Sequence, residues 1–153
     1  MSKHGTVSKQ VELYIVVADD DLEDHELIKK AVKECDLNYI VTSVYNGMQL
    51  MNLLLKKGFY KTEFTRNPDL VILDLKMPIM DGYEALSQIR ANPELADIPV
   101  HVISESGSAD DRRKLVEAGA DGFYTKPFSF DELLKLVGGI CNHTIARHPK
   151  KNN

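Results

Sequence analysis

Tryptophan is absent, cysteine occurs twice and proline six times in 153 residues. So few prolines exclude a polyproline or collagen-like chain, and two cysteines cannot build a disulfide framework. Cys35 and Cys141 stand far apart without close metal-ligand spacing, which fits two reduced thiols in a reducing compartment. No run reaches the ~18 apolar residues of a membrane span, and residues 1–10 are polar, without the apolar centre of a signal peptide. A cytoplasmic protein with no membrane contact is expected. An excess of positive charge is lacking too: the net charge of −4 disfavours direct nucleic-acid binding. What is present, 43% hydrophobic and 27% charged residues, suits one globular domain with a full core.

The stretch from Asp69 to Gly82 reads Asp-Leu-Val-Ile-Leu-Asp-Leu-Lys-Met-Pro-Ile-Met-Asp-Gly. Leu70-Val71-Ile72-Leu73 does not alternate apolar with polar, so both faces should be buried, as in the central strand of a parallel sheet. Asp74 then stands at the carboxyl end of that strand, where open α/β sheets bind ligands. Taken alone, a carboxylate there suits a turn equally well.

The flanking chain repeats the theme. Residues 11–18 are β-branched and apolar and end in Asp19-Asp20-Asp21, which predicts a first strand delivering acids at its tip. Leu27, Ile28, Ala31 and Val32 place an amphipathic helix over 22–35. A second strand is expected over 39–45 and a second helix over 48–57, where the Met and Leu residues are core. Residues 58–68 read as an extended surface connection. A third helix follows Gly82 and stops at Asn92-Pro93; strand four covers 100–104 and helix four 110–118. That helix has few apolar residues and should be the least anchored. A short fifth strand over 120–125 runs into Lys126-Pro127-Phe128, and a fifth helix follows Ser129, weakened late by Gly138-Gly139, with a fraying tail from Asn142. Five strands alternating with five helices predict a parallel sheet covered on both faces.

In that arrangement Asp19, Asp20, Asp74, Ser104 and Lys126 collect on one rim. Clustered carboxylates repel unless a cation neutralises them, and a hard oxygen site that keeps waters suits Mg²⁺. Asp19 to Asp21 alone would also suit a helix N-cap, which leaves Lys126 unexplained. A glycosidase pair would leave Ser104 and Lys126 without roles.

The acid pair after strand one, the Leu-Asp-Leu-Lys-Met-Pro-Ile-Met-Asp-Gly segment, the hydroxyl after strand four and Lys-Pro-Phe after strand five together resemble the receiver domain of two-component response regulators, over residues ~10 to 141. The resemblance implies a flavodoxin-like fold with strand order 2-1-3-4-5, an extension over 1–10, a receiver domain over 11–142 and a flexible tail over 143–153, with no output domain. It implies that Asp74 accepts a phosphoryl group from a phosphohistidine, that Asp19, Asp20, Asp74 and the backbone carbonyl of Lys76 hold Mg²⁺, and that Lys126 and Ser104 contact the phosphoryl oxygens. Phe123 would be the switch aromatic, although a plain core aromatic is the competing reading. A cis Lys126–Pro127 bond is also implied. The chain would be a phospho-acceptor rather than a turnover enzyme. Its partners would be a histidine kinase, with bacteriophytochromes in view from the long 58–68 segment, a phosphotransfer protein, or a second copy through the face of helix four, strand five and helix five.

Glu105 departs from the family, which usually has a small residue there, and a carboxylate beside an incoming phosphoryl group repels it. It is the feature favouring the alternative, a pseudo-receiver that binds without phosphorylation. A dehalogenase-like phosphatase would need an acid where Lys76 stands, and a flavodoxin-type carrier would meet three acids in its phosphate loop. His25 reads as a solvated first-turn residue, His101 as a packed or edge side chain of strand four, and His143 and His148 as tail residues.

Overall fold

The computed structural model describes residues 12–61, 66–105 and 107–147. Five strands alternate with five helices: β1 Leu13–Ala18, α1 Leu22–Lys33, β2 Tyr39–Val44, α2 Gly47–Leu54, β3 Leu70–Leu73, α3 Gly82–Ala91, β4 Val100–Ser104, α4 Ala109–Ala118, β5 Gly122–Thr125 and α5 Phe130–Ala146. The strands form one sheet in the order β2-β1-β3-β4-β5, and every neighbouring pair is parallel. This is the expected doubly wound architecture.

Strand alternation splits the core into two layers. Tyr14, Val16 and Ala18 of β1, with Val71 and Leu73 of β3, pack with Leu50, Leu86, Ile89 and Leu115 on one face. Leu13, Ile15, Val17, Leu70 and Ile72 face the other way, onto Ile28 and Val32 of α1 and Val137 and Ile140 of α5. All four residues of β3 are buried, which is why its sequence shows no alternation.

Each helix begins on a side-chain cap. Asp21, Asn46, Asp81, Ser108 and Ser129 accept hydrogen bonds from Glu23, Gln49, Glu84, Asp111 and Glu132 N–H, at 2.8, 2.8, 2.9, 3.0 and 3.2 Å. These bonds satisfy otherwise orphaned first-turn donors and set where the chain turns away from each strand end. Helix α4 buries Leu115 alone, as its charged sequence predicts, and ends on Gly119 in the left-handed conformation, φ 98°.

Several boundaries differ from expectation. Helix α1 ends at Lys33 rather than 35, α2 spans Gly47–Leu54 rather than 48–57, and β5 begins at Gly122 rather than 120. The connection after α2 contains a 3₁₀ turn, Gly58–Tyr60, where an extended path was expected; residues 62–65, with Phe64, lie outside the described residues. The largest correction is α5, which runs through Gly138-Gly139 and Asn142 to Ala146. Two glycines cost about 1 kcal/mol each against Ala. Burial of Val137, Ile140, Cys141 and Thr144 outweighs that, at about 1.5–3 kcal/mol for a full aliphatic side chain. Residues 143–146 are therefore helix and not tail. Val11 of the expected first strand, the 1–10 extension and His148 lie outside the described residues.

Candidate functional site

Parallel pairing brings the carboxyl ends of β1, β3, β4 and β5 to one edge, and the predicted residues meet there. The Asp74 N–H donates to the Ala18 carbonyl at 2.9 Å, so β3 delivers Asp74 directly beside the end of β1 and its acids. One oxygen from each of Asp19, Asp20 and Asp74 lies within 4.8 Å of the others. Asp19 and Asp74 are buried and Asp20 is exposed, so the cluster has a dry floor and an open mouth.

Backbone donors fix the two buried acids. Asp21 N–H donates to Asp19 Oδ1 at 2.9 Å, and Leu75 N–H to Asp74 Oδ1 at 2.9 Å. Gly82 is required just behind: a Cβ there would stand 2.3 Å from the Asp74 carbonyl oxygen. Ser104 is 1% exposed at the end of β4, and its carbonyl accepts the Lys126 N–H at 2.9 Å, which carries Lys126 to the same rim. Asp20 and Lys76 line a cavity of about 750 Å³ together with Asp81, Tyr83 and Asp111.

The electrostatics follow from three buried or half-buried acids around one amine. Burial pushes the Asp19 carboxyl up to about 7, and the Asp74 and Asp24 charges add to it against the Asp21 N–H and Lys126. Asp74 is raised as well, first by burial and then by Asp20 and Asp24, although Lys126 and the Leu75 N–H oppose the shift. Burial works against the Lys126 ammonium, but its bond to Asp24 and the charges of Asp19, Asp74 and Asp24 prevail and raise its pKa. The carboxylates thus remain under-neutralised. Hard oxygen donors in excess of local positive charge suit a small divalent cation.

Lys126 lies among these acids, with one further partner that the sequence reading did not name. Its Nζ lies 3.6 Å from Asp74 Oδ2 and 3.2 Å from Asp19 Oδ2, but 2.6 Å from Asp24 Oδ2. Sequence reasoning missed Asp24, because an acid in the first turn of a helix already has a reason to be there. The Lys126–Pro127 bond is trans, against expectation. An X–Pro bond favours trans by about 0.5–1 kcal/mol, and the ammonium reaches the acids from that isomer.

His25 is also corrected. It is 2% exposed rather than solvated, its Nε2 lies 2.7 Å from the Asp19 carbonyl oxygen, and its ring packs on Tyr45 at 4.8 Å between centroids. His101 is buried in β4 beside Tyr124, as a packed side chain, and His143 is a helical residue whose ring meets His101 edge-on. Phe123 is 4% exposed, with the Arg112 guanidinium 5.1 Å over its ring. Glu105 is exposed. A second opening of about 560 Å³ lies at the amino end of the sheet, away from these groups; there Arg66 pairs with Asp69 at 3.0 Å.

The profile of the response regulator receiver domain matches residues 15–138. The chain belongs to that family. It is 32% identical over 126 residues to the response regulator Rcp1 of Synechocystis sp., covering 82% of this chain and 84% of Rcp1. The crystal structure of the phosphorylated cyanobacterial phytochrome response regulator RcpA superposes with a TM-score of 0.79 at 32% identity, over 85% of this chain and 91% of RcpA. The Mn²⁺-bound form of Rcp1 gives 0.77 at 30% identity, over 84% and 91%. The chain spans a smaller share, 56%, of the probable transcriptional regulator ycf29 of Pyropia yezoensis, at 29% identity and 86% of this chain. Among the described residues no helix is long and apolar enough to cross a membrane.

Proposed function

We propose that this receiver domain takes a phosphoryl group on Asp74 from a phosphohistidine of a partner histidine kinase and thereby switches a protein-binding face. The observation that carries it is the meeting of the Asp19, Asp20 and Asp74 oxygens within 4.8 Å beside the Lys126 ammonium. An ionised Asp74 oxygen attacks phosphorus, the P–N bond breaks as the P–O bond forms, and the departing imidazole takes up a proton. Asp19, Asp20, Asp74 and the Lys76 carbonyl would hold Mg²⁺, which when bound neutralises charge on the transferring group. Lys126 supplies a second positive charge, and Ser104, at the tip of β4, donates its hydroxyl to a phosphoryl oxygen.

Exposed apolar side chains stand in the segments that follow three of the strand ends: Leu22 after β1, Ile79 after β3 and Phe128 after β5. We assign them to kinase docking, and likeness to Rcp1 and RcpA favours a kinase of the phytochrome class. Once Asp74 is phosphorylated, Ser104 moves toward it and Phe123 repacks under Arg112, changing the face of α4, β5 and α5 that meets a phosphotransfer protein or a second copy. The protein acts in the cytoplasm as a phospho-acceptor, with no turnover beyond hydrolysis of its own aspartyl phosphate.

Intact mass after incubation with Mg²⁺ and acetyl phosphate tests the acceptor. A phosphoryl-sized gain in the wild type, and none in Asp74→Asn, is the expected result. No gain in the wild type or in Glu105→Ala would leave a binding module that works without phosphorylation.

A further inference from the structure

Given the receiver chemistry proposed above, we infer that Asp24 is a positioning residue that holds the Lys126 ammonium nearest to itself, at the wetter side of the acid cluster, and so weakens its pairing with the acceptor and the cation-binding carboxylates. Three observations carry this. The Asp24 carboxylate is the nearest of the three around Nζ, at 2.6 Å against 3.2 Å for Asp19 and 3.6 Å for Asp74. A charge-assisted bond of that length is strong, whereas at 3.6 Å the Asp74 contact is electrostatic rather than a hydrogen bond.

Asp24 is also held firmly. It lies in the first turn of α1, which is capped by the Asp21 carboxylate and tied to β1 by His25, its chain neighbour, through the buried contact to the Asp19 carbonyl at 2.7 Å. Its side chain cannot follow the ammonium inward without moving that turn. The partners, finally, differ in surroundings: the Asp24 side chain is 23% exposed, against 4% and 8% for Asp19 and Asp74. An amine anchored at the wetter acid leaves the drier pair short of positive charge, the condition in which they bind a divalent cation best. Without Asp24 the ammonium falls back onto Asp19 and Asp74 and competes with that cation for the same oxygens. Lys126 therefore has two stations, Asp24 at rest and the phosphoryl oxygens after transfer.

Mn²⁺ affinity, read by electron paramagnetic resonance of the free ion at pH 7.5, tests this without any phosphoryl donor. Wild type, Asp24→Asn, Lys126→Met and the double variant form a cycle, with circular dichroism confirming that each is folded. Asp24→Asn is expected to weaken Mn²⁺ binding about ten-fold in the wild-type background and less than about two-fold beside Lys126→Met, because the competing amine is gone. An unchanged Kd in Asp24→Asn would overturn the clamp. So would a loss of equal size in both backgrounds, which would mean that Asp24 acts by its own charge. Wild type that binds no Mn²⁺ would overturn the receiver-site reading, and the clamp with it. Wild type that binds Mn²⁺ beside an unaltered Asp24→Asn would overturn the clamp alone.

Discussion

Asp19→Asn should stabilise the cation-free protein, although it removes a residue of the site. The carboxyl of Asp19 is buried beside Asp74 and rises from its ordinary 3.8 to about 7. Between those values the folded state binds a proton that the unfolded chain has released, so the contribution of Asp19 to stability falls as pH rises from about 4 to about 7 and changes no further above. At 1.36 kcal/mol per pH unit the displacement corresponds to about 4 kcal/mol. Loss of Asp19 also deprives Lys126 of a partner at 3.2 Å, so the gain at pH 7.5 is expected at about 2–4 kcal/mol. With no tryptophan in the chain, urea unfolding followed by far-ultraviolet circular dichroism is the suitable assay, run with chelator at pH 5 and pH 7.5. The variant should exceed the wild type at pH 7.5 and nearly match it near pH 4. Excess Mg²⁺ should narrow the gap, because a cation at 100 times its Kd stabilises the wild type by about 2.7 kcal/mol and the variant far less. Stability of the wild type that climbs from pH 5 to 7.5 relative to Asp19→Asn would refute the reasoning.

Other expectations follow from single contacts. Ile79 is a β-branched residue at φ 71°, inside a three-residue turn closed by Met80 N–H onto the Pro78 carbonyl, and it is 78% exposed. Ile79→Gly relieves that strain at little loss of burial and should raise Tm by about 2–4 °C; a lower Tm would mean the turn is unstrained. Gly82→Ala should cost about 3 kcal/mol and weaken Mn²⁺ binding, since its Cβ would meet the Asp74 carbonyl at 2.3 Å. Normal urea stability of that variant would show that the α3 entry yields easily. His25→Ala should cost about 3 kcal/mol through the cavity it leaves and the lost bond to Asp19, checked by urea unfolding. Amide exchange should be fastest among the helices in α4, whose one buried residue is Leu115; protection there equal to α3 would contradict the account of a movable helix.

The fold was legible because its signals are local and repeated. Residues 70–73 carry no alternation because both of their faces are covered, and each of the five helices starts on an Asp, Asn or Ser whose side chain caps it. Misplacements came where tertiary burial overrode propensity. Gly138-Gly139 weakens the helix and Asn142 reads as the start of a fraying tail, but Cys141 and Thr144 are buried, so the helix continues to Ala146. Cys35 and Cys141, remote in sequence, meet where α1 packs on α5, and burial raises both thiols. No local pattern reports a contact of that kind.

The site was legible as far as strand ends determine it. Asp74, Asp20, Asp19, Ser104 and Lys126 follow strands of one parallel sheet, so topology alone brings them to one edge. Asp24 and His25 come from a helix, and whether a first-turn residue faces solvent or the strand ends depends on how that helix lies across the sheet. Periodicity could not decide it: His25 falls between charged residues, yet its ring is buried against Tyr45 and the Asp19 carbonyl. The charges held a clue nonetheless. Two buried carboxylates clustered with an exposed third call for more positive charge than the rim supplies, and a fourth acid that takes the shortest contact of the one ammonium sharpens the shortage. An excess of that kind costs stability in the resting protein, which is why neutralising Asp19 should strengthen the fold that cation binding requires it to weaken.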